Sequence, residues 1–385
     1  MVGNCSGVPP LSQQSFLSKL CKLGEEAGII TYVFSPHQLT NQLTNQRQSS
    51  SEYFPLVPFG FSVGIIGFTY QSETKNWVQH TYPLPDLIYD RAFFTSASQL
   101  QKHQNAVHLL LQLKQIPFLG RCLKGKWEVH QQLALNEQLY TFLPETEPLR
   151  KLSRIILWLK DMNRVILKPE NGSHGKGLLY IEKMKKVFIL KGRDGHNRIL
   201  SESYSRPVQL LKRVAALIGS HRYLLQQYLN LLTEEGTAFD VRALMQKDGR
   251  GLWSLTGMAV RLAPPGSITA NLHGGGTAEE LTPFLNQQFG PLLAAEIIAT
   301  LTRVASTIPT LLEQKFGRFA ELGVDLGVDQ AGKVWFIEAN SKPGRALFYP
   351  AGKISFKLPG IYKPIAYAHY LLHHQFSRNK FGRVI

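Results

Sequence analysis

Three side chains in the last quarter of the chain, Asp325, Glu338 and Asn340, have the types and spacing of a shared oxygen-donor set. They lie in LGVDLGVDQAGKVWFIEANSKPGR (residues 322–345), which reads as two strands, 324–328 and 334–339, joined by a loop carrying Asp329 and Gly332. An antiparallel register with Asp329 opposite Val334 sets Asp325 opposite Glu338. Alternation along the second strand then projects Glu338 and Asn340 from one face and turns Ala339 away. Two carboxylates and an amide oxygen converging at a hairpin end are the kind of set that holds one or two Mg²⁺ ions against phosphates. Asp, Asn and Gly also favour turns, so a polar hairpin end open to water is the alternative.

A second group of chemically able residues precedes it. RVILKPENGSHGKGLLYIEK (164–183) reads as a strand ending at Lys168, a glycine-rich loop and a second strand. Gly172, Gly175 and Gly177 let backbone amides approach phosphate oxygens, and Lys168 adds a point charge. The spacing is not that of a Walker A loop, and the lysine precedes the glycines, unlike a protein-kinase loop. A plain hairpin with a glycine turn stays open for this segment. Asp240 and Arg242 share one face of a strand at 239–246, and Arg261 lies near the end of its partner at 253–262. SITANLHGGG (267–276) is too glycine-rich for regular structure and reads as a binding loop, with His273 inside it.

The elements that must position these groups follow from periodicity. Residues 16–22 and 103–113 read as helices; 28–34, 59–70, 75–82 and 116–120 read as strands, with a polar loop at 38–51. Alternation over about 120 residues points to a small N-terminal α/β domain with a mostly parallel sheet. Ligands of such sheets bind at the carboxyl ends of strands, which makes Asp90 and Arg91, at the end of LPDLIYDR, candidates for substrate contact, with a structural salt bridge as the alternative. Further on, helices are expected at 126–139, 152–160, 206–218, 292–316 and 364–376, and a strand at 223–229. The domain expectation is residues 1–122, then 123–373 with a lid at about 164–222, then a basic tail at 374–385.

Composition sets the class of partner. The chain has 385 residues, 44% of them apolar and 18% charged, as in soluble globular proteins. The N-terminus lacks the pattern of a signal peptide, and no apolar run approaches a membrane span, so a cytoplasmic protein without membrane partners is expected. Three cysteines, Cys5, Cys21 and Cys122, form no metal or disulfide framework. The net charge of +16 calls for an anionic partner. The basic residues are scattered, without a zinc finger, basic zipper or RNP motif, so nucleic acid is not the expected partner. No Ser-His-Asp or Cys-His set with recognisable spacing is present.

The order of these pieces, from Lys126 through Lys168, QQYL, D-x-R, Arg261 and the Asn-Gly loop to D…E-x-N, resembles the ATP-grasp superfamily in its glutathione-synthetase-like branch. The resemblance covers about residues 126–345. LPDLIYDR, GKWEVHQQL…LPET and FDVRALMQKDGRGLW…NLHGGG narrow it to the YheC/YheD family of endospore coat-associated ATP-grasp proteins. The resemblance implies an N-terminal α/β domain followed by two α+β subdomains clamping ATP, with two Mg²⁺ ions as the expected metal. It puts Lys126 and Lys168 on the phosphates, with the loop of Gly172, Ser173, Gly175 and Gly177 closing over them. Gln226, Gln227, Tyr228 and Leu229 would form the adenine hinge, and Asp240 the nucleotide-side acid. Glu234 and Glu235 are both open for the ribose. Arg261 and Asn271 would act at the transferred phosphate, with Asp325, Glu338 and Asn340 as Mg²⁺ ligands. Arg242 and Arg345 could face a substrate carboxylate or form ion pairs. The implied activity is ATP-dependent ligation of a carboxylate, from a peptide or coat precursor, to an amine or thiol through an acyl phosphate. The alternative is a nucleotide-binding coat protein that serves by assembly with other coat proteins.

Overall fold

The computed structural model describes residues 13–35, 64–94, 97–113, 116–120, 122–172, 175–264, 276–344 and 357–375. The N-terminal part begins with α1 (Gln14–Glu26), which buries Leu17, Leu20, Cys21 and Gly24 along one stripe. An antiparallel hairpin of β1 (Ile65–Gln71) and β2 (Asn76–Tyr82) follows. Then β3 (Ile88–Tyr89) and β4 (Phe118–Gly120) pair in parallel across α2 (Ala97–Leu113). Parallel pairing among the described residues is confined to this crossover. The 65–82 segment instead folds back on itself through a turn in which Lys75 takes φ 55°. The expected strand at 28–34 contributes one bridge, Val33 to Phe68.

The single helix expected at 126–139 is two, α3 (Lys126–Ala134) and α4 (Glu137–Tyr140). Asn136 breaks it by capping α4, its Oδ1 accepting from the Leu139 amide at 3.1 Å. A six-stranded sheet comes next, antiparallel throughout. Its elements are β5 (Thr146–Pro148), α5 (Ser153–Asp161), β6 (Arg164–Pro169), β7 (Leu179–Met184), β8 (Val187–Arg193), β9 (Ile199–Tyr204), α6 (Pro207–Ile218) and β10 (Tyr223–Gln227), with strand order β5-β10-β6-β7-β8-β9. Ile155, Leu159, Leu210 and Val214 of its two helices cover Val165, Leu167, Ile181 and Leu190. Residues 146–227 hold 17 basic and 6 acidic side chains, so most of the chain's positive excess sits on this one sheet.

The second sheet runs β13-β12-β11-β14-β15, also antiparallel. It consists of β11 (Phe239–Lys247), β12 (Trp253–Leu262), β13 (Thr277–Glu280), then α7 (Leu281–Phe289) and α8 (Pro291–Phe316), then β14 (Glu321–Val328) and β15 (Val334–Asn340). Alternation sends Phe239, Val241, Ala243 and Met245 of β11, and Leu322, Val324, Leu326 and Val328 of β14, into the main core. Asp240, Arg242 and Asp325 therefore share the other face. The expectation of no span-length apolar segment needs correction at α8, whose 26 residues are long and apolar enough by length and composition. One side of that helix, Ala294, Ile297, Leu301, Val304, Ala305, Ile308 and Leu312, packs on the sheet. The chain closes with α9 (Lys357–Tyr370) and one π turn, Leu371–Gln375. This helix starts before the expected 364, with Pro364 inside it. Its Ile361 and Ile365 share a core with Leu17, Leu20, Val33 and Phe68 of the N-terminal part.

Candidate functional site

The hairpin that places the oxygen donors carries one irregularity. Val328 pairs with Val334 and Leu326 with Phe336, but Asp325 pairs with Glu338, because the register shifts between Asp325 and Leu326. Val328, and not Asp329, is thus opposite Val334, and the expected Asp325–Glu338 pair is reached through a bulge. Ile337 is the extra residue, so Val334 and Phe336 point into the core while Glu338 and Asn340 turn to the other face, as a two-versus-one bulge allows. Asp329 serves the turn: its Oδ1 accepts from the amides of Ala331 and Lys333, and its Oδ2 from Trp335 Nε1.

Around Asp325 the polar face forms a closed ion network. Arg242 Nη2 donates to Asp325 Oδ2 at 2.6 Å and Arg242 Nε donates to Oδ1. Arg261 Nη2 lies 2.9 Å from Asp325 Oδ2, and the same guanidinium grips Asp240 at 2.5 and 2.6 Å. Burial opposes the charge on Asp325, yet Arg242 and Arg261 together overcome it and hold the carboxyl down to about 2. Burial pushes Asp240 the other way, up to about 6, against the attraction of Arg261 and with the Asp325 charge adding to the push. Asn340 Nδ2 donates to Glu338 Oε1 at 3.2 Å and reaches Asp325 Oδ2 at 3.5 Å. The three expected oxygen donors, Arg242, Arg261 and Asp240 are therefore one cluster.

The phosphate-side lysines approach from the six-stranded sheet. Lys168, at the end of β6, has its pKa pushed down to about 8 by desolvation and the Lys126 charge, with Glu338 pulling it up. Lys168 thus lies within electrostatic reach of both Lys126 and Glu338, which come from a helix and from the other sheet. Lys126 Nζ donates to the carbonyl of Gly172 at 2.7 Å, which ties the helix start to the glycine loop. Gly172, Gly175 and Gly177 all have positive φ, at 146°, 69° and 73°. Ser173 lies outside the described residues, as do Asn271, His273 and Arg345.

At the expected hinge, Gln226 is buried and donates through Nε2 to Thr146 Oγ1 at 2.7 Å. The Gln227 amide donates to the Glu145 carbonyl, and the Leu229 carbonyl accepts from the Leu231 amide. Tyr228 meets Tyr180 edge to face at 5.0 Å. Asp90 and Arg91 are buried and paired with groups outside the Asp325 network. Asp90 Oδ2 is 3.0 Å from His103 Nε2 and 3.1 Å from Lys342 Nζ. Arg91 Nη1 donates to Glu321 Oε1 at 2.9 Å. Three further groups here take no role from the sequence motifs. His130 Nε2 contacts the Pro144 carbonyl and sits near enough to Lys168 to feel its charge; burial lowers its pKa. Glu321 gathers Tyr89, Arg91 and Gln246. Lys342 follows Asn340 by two residues, and the run S-K-P-G after E-A-N was the signal that could have found it.

Whether these donors suit Mg²⁺ is a question of lone pairs and charge. Among the described residues, no three His, Cys, Asp or Glu side chains gather as a metal set. Mg²⁺ is commonly held by only one or two carboxylates together with phosphate oxygens and water. Glu338 and Asn340 fit that demand; Asp325 takes three guanidinium bonds, one on Oδ1 and two on Oδ2, and of the about four acceptor sites of a carboxylate it keeps one on Oδ1 for a metal.

Comparisons with known proteins bear on the fold and the family. The crystal structure of D-cycloserine synthetase DcsG superposes with TM-score 0.50 at 13% identity, over 96% of this chain and 97% of that one, a likeness of fold. The endospore coat-associated protein YheD of Bacillus subtilis (strain 168) is 29% identical over 334 residues, covering 86% of this chain and 68% of YheD. Endospore coat-associated protein YheC of the same strain is 29% identical over 279 residues, 72% of this chain and 75% of YheC. The fold is the α/β ATP-grasp fold that the motif order implied. A family model described as YheC/D-like ATP-grasp matches residues 115–371, two thirds of the chain, and the chain belongs to that family.

Proposed function

We propose that this chain binds ATP with Mg²⁺ between its two sheets and uses them to ligate a carboxylate to an amine or thiol through an acyl phosphate. The observation that supports the reading is that Lys168, beside Lys126, is near enough to Glu338 to feel its charge, and that Glu338 stands with Asn340 and Asp325 on one face of the other sheet. In this reading Lys126 and Lys168 bind phosphate oxygens and orient the γ-phosphate, and residues 226–229 hold the base. Glu338, Asn340 and Asp325 would hold the metal, which would neutralise phosphate charge. Arg261, anchored by Asp240, would stabilise charge that develops on the transferred phosphoryl group. Arg242 is placed on the same face, where a carboxylate substrate would meet it. The segment at about 164–222 would act as the lid, within an ATP-grasp domain of residues 123–373. The names of YheC and YheD make a peptide or coat precursor the substrate to test, coat proteins the partners, and a cytoplasmic origin the expectation.

The commitment of Asp325 to two guanidiniums favours a second reading, a nucleotide-binding coat protein that does not turn over. Two measurements decide between them. Thermal melts with ATP-Mg²⁺, GTP-Mg²⁺ and no nucleotide test binding; about 2.7 kcal/mol of stabilisation is expected at a hundredfold excess over Kd. An unchanged melting temperature at millimolar ATP sinks the nucleotide assignment. ADP formation with candidate acceptors then tests turnover. Glu338→Gln should abolish it while weakening ATP binding only in part, and normal turnover in that variant removes the hairpin as the metal site.

A further inference from the structure

The three residues that follow Asn340 are each held from outside their sheet, Ser341 by Leu123 and Lys342 and Pro343 by residues 90–92 of the N-terminal part. Ser341 Oγ accepts from the Leu123 amide at 3.0 Å. Lys342 Nζ donates to the Ala92 carbonyl at 2.7 Å and pairs with Asp90 Oδ2 at 3.1 Å, its side chain only 9% exposed. Its ammonium also lies 5.5 Å from the centre of the Phe94 ring. The Pro343 carbonyl accepts from Arg91 Nη2 at 3.1 Å, and Arg91 is itself locked onto Glu321 on the neighbouring strand β14. Asp90 is fixed in turn by His103 and the Ala92 amide.

Three consecutive anchors are more than a strand end needs to terminate. They come immediately after the bulge that turns Glu338 and Asn340 to the polar face, where the ladder to β14 resumes at Asp325–Glu338 and β15, the edge strand of its sheet, has strand pairing on one side only. We infer that Lys342 is a positioning residue: with Asp90 and Arg91 it clamps the exit of β15, so that the N-terminal part fixes where Glu338 and Asn340 stand. Asp90 and Arg91 then act through the hairpin and not on substrate. The inference rests on the reading of Glu338 and Asn340 as metal ligands. Groups that orient metal ligands typically change metal affinity by about 10–100-fold when removed.

The test uses the full chain and a fluorescent ATP analogue. The affinity gain on adding Mg²⁺ over EDTA is measured for the wild type, Lys342→Met and Lys342→Arg, beside hydrogen exchange of the 338–342 amides without nucleotide. Lys342→Met should keep its EDTA affinity, lose about tenfold of the Mg²⁺-dependent gain, and exchange faster at 338–342 but not at 322–326. Lys342→Arg should recover both. Wild-type gain together with wild-type exchange in Lys342→Met overturns the clamp. If the wild type itself shows no Mg²⁺-dependent gain, the ligand reading falls, and the exchange comparison alone decides whether the clamp exists. Should Lys342→Met fail to fold, Ser341→Ala, which removes only the bond from Leu123, is judged by the same two measurements.

Discussion

Lys168 sits at the end of β6 with a second ammonium near it, and its pKa near 8 makes it the residue whose charge nucleotide binding should change. Bound phosphates favour the ammonium, so at pH above 8 binding should take up a proton, and affinity should fall as pH rises through that value. Each unit by which phosphate raises the pKa is worth about tenfold in affinity on the alkaline side. Calorimetry at pH 8.5 in two buffers of different ionisation heat measures the uptake, and Lys168→Arg should abolish it. Without nucleotide the sign reverses for stability. The unfolded chain, with a lysine pKa of about 10.4, holds more protons than the folded one, so stability gains as pH rises from 8 to that value. The placement of Lys126 and Lys168 by the glycine loop, and of Glu338 and Asn340 beside Asp325, was legible because each sits in a short motif. The Arg242–Asp325–Arg261–Asp240 network was not, because it joins three strands whose adjacency, β12-β11-β14, no local pattern encodes.

Among the elements, the glycine loop between β6 and β7 is where backbone freedom matters most. Gly177 holds φ 73°, and a Cβ built there would meet Tyr223 Oη at 2.6 Å, the same hydroxyl that donates to the Gly177 carbonyl. Gly177→Ala should therefore destabilise the six-stranded sheet by at least the roughly 1–2 kcal/mol of left-handed strain. Hydrogen exchange should accelerate in β6, β7 and β10 and stay unchanged in β11 and β14; uniform acceleration would show that the two sheets unfold as one. β6, β7, β10, β11 and β12 were readable from their alternation, and β14–β15 from their turn. β8 and β9 went unread because lysines and serines break the pattern of strands that are half open to solvent. The split of α3 from α4 escaped notice because the apolar positions run on through Asn136. The bulge in β15 is invisible to pattern reading, since an inserted residue looks like a slip of register until the partner strand is placed.

At the scale of the whole molecule, the charge lies unevenly, and 17 basic against 6 acidic side chains within residues 146–227 give the six-stranded sheet a strong positive field. Such a field gathers anions, so the association rate of ATP should fall with added salt, by about tenfold or more when steering dominates. Stopped-flow binding between 20 and 500 mM salt, on the order of a Debye length from about 20 to 4 Å, reads this directly. A salt-independent rate would place the captured charge elsewhere. The mixture of helices and strands in the N-terminal part was legible, but its dependence on the far end of the chain was not. Leu17, Leu20, Val33 and Phe68 share their core with Ile361 and Ile365, and Leu123, Asp90 and Arg91 wait for Ser341, Lys342 and Pro343. On a ribosome adding about 5–20 residues per second, α1 emerges roughly 20–70 s before the helix that covers it. A segment made before most of this sequence is thus among the last to be finished, and its apolar stripe is the surface that a chaperone would meet in the meantime.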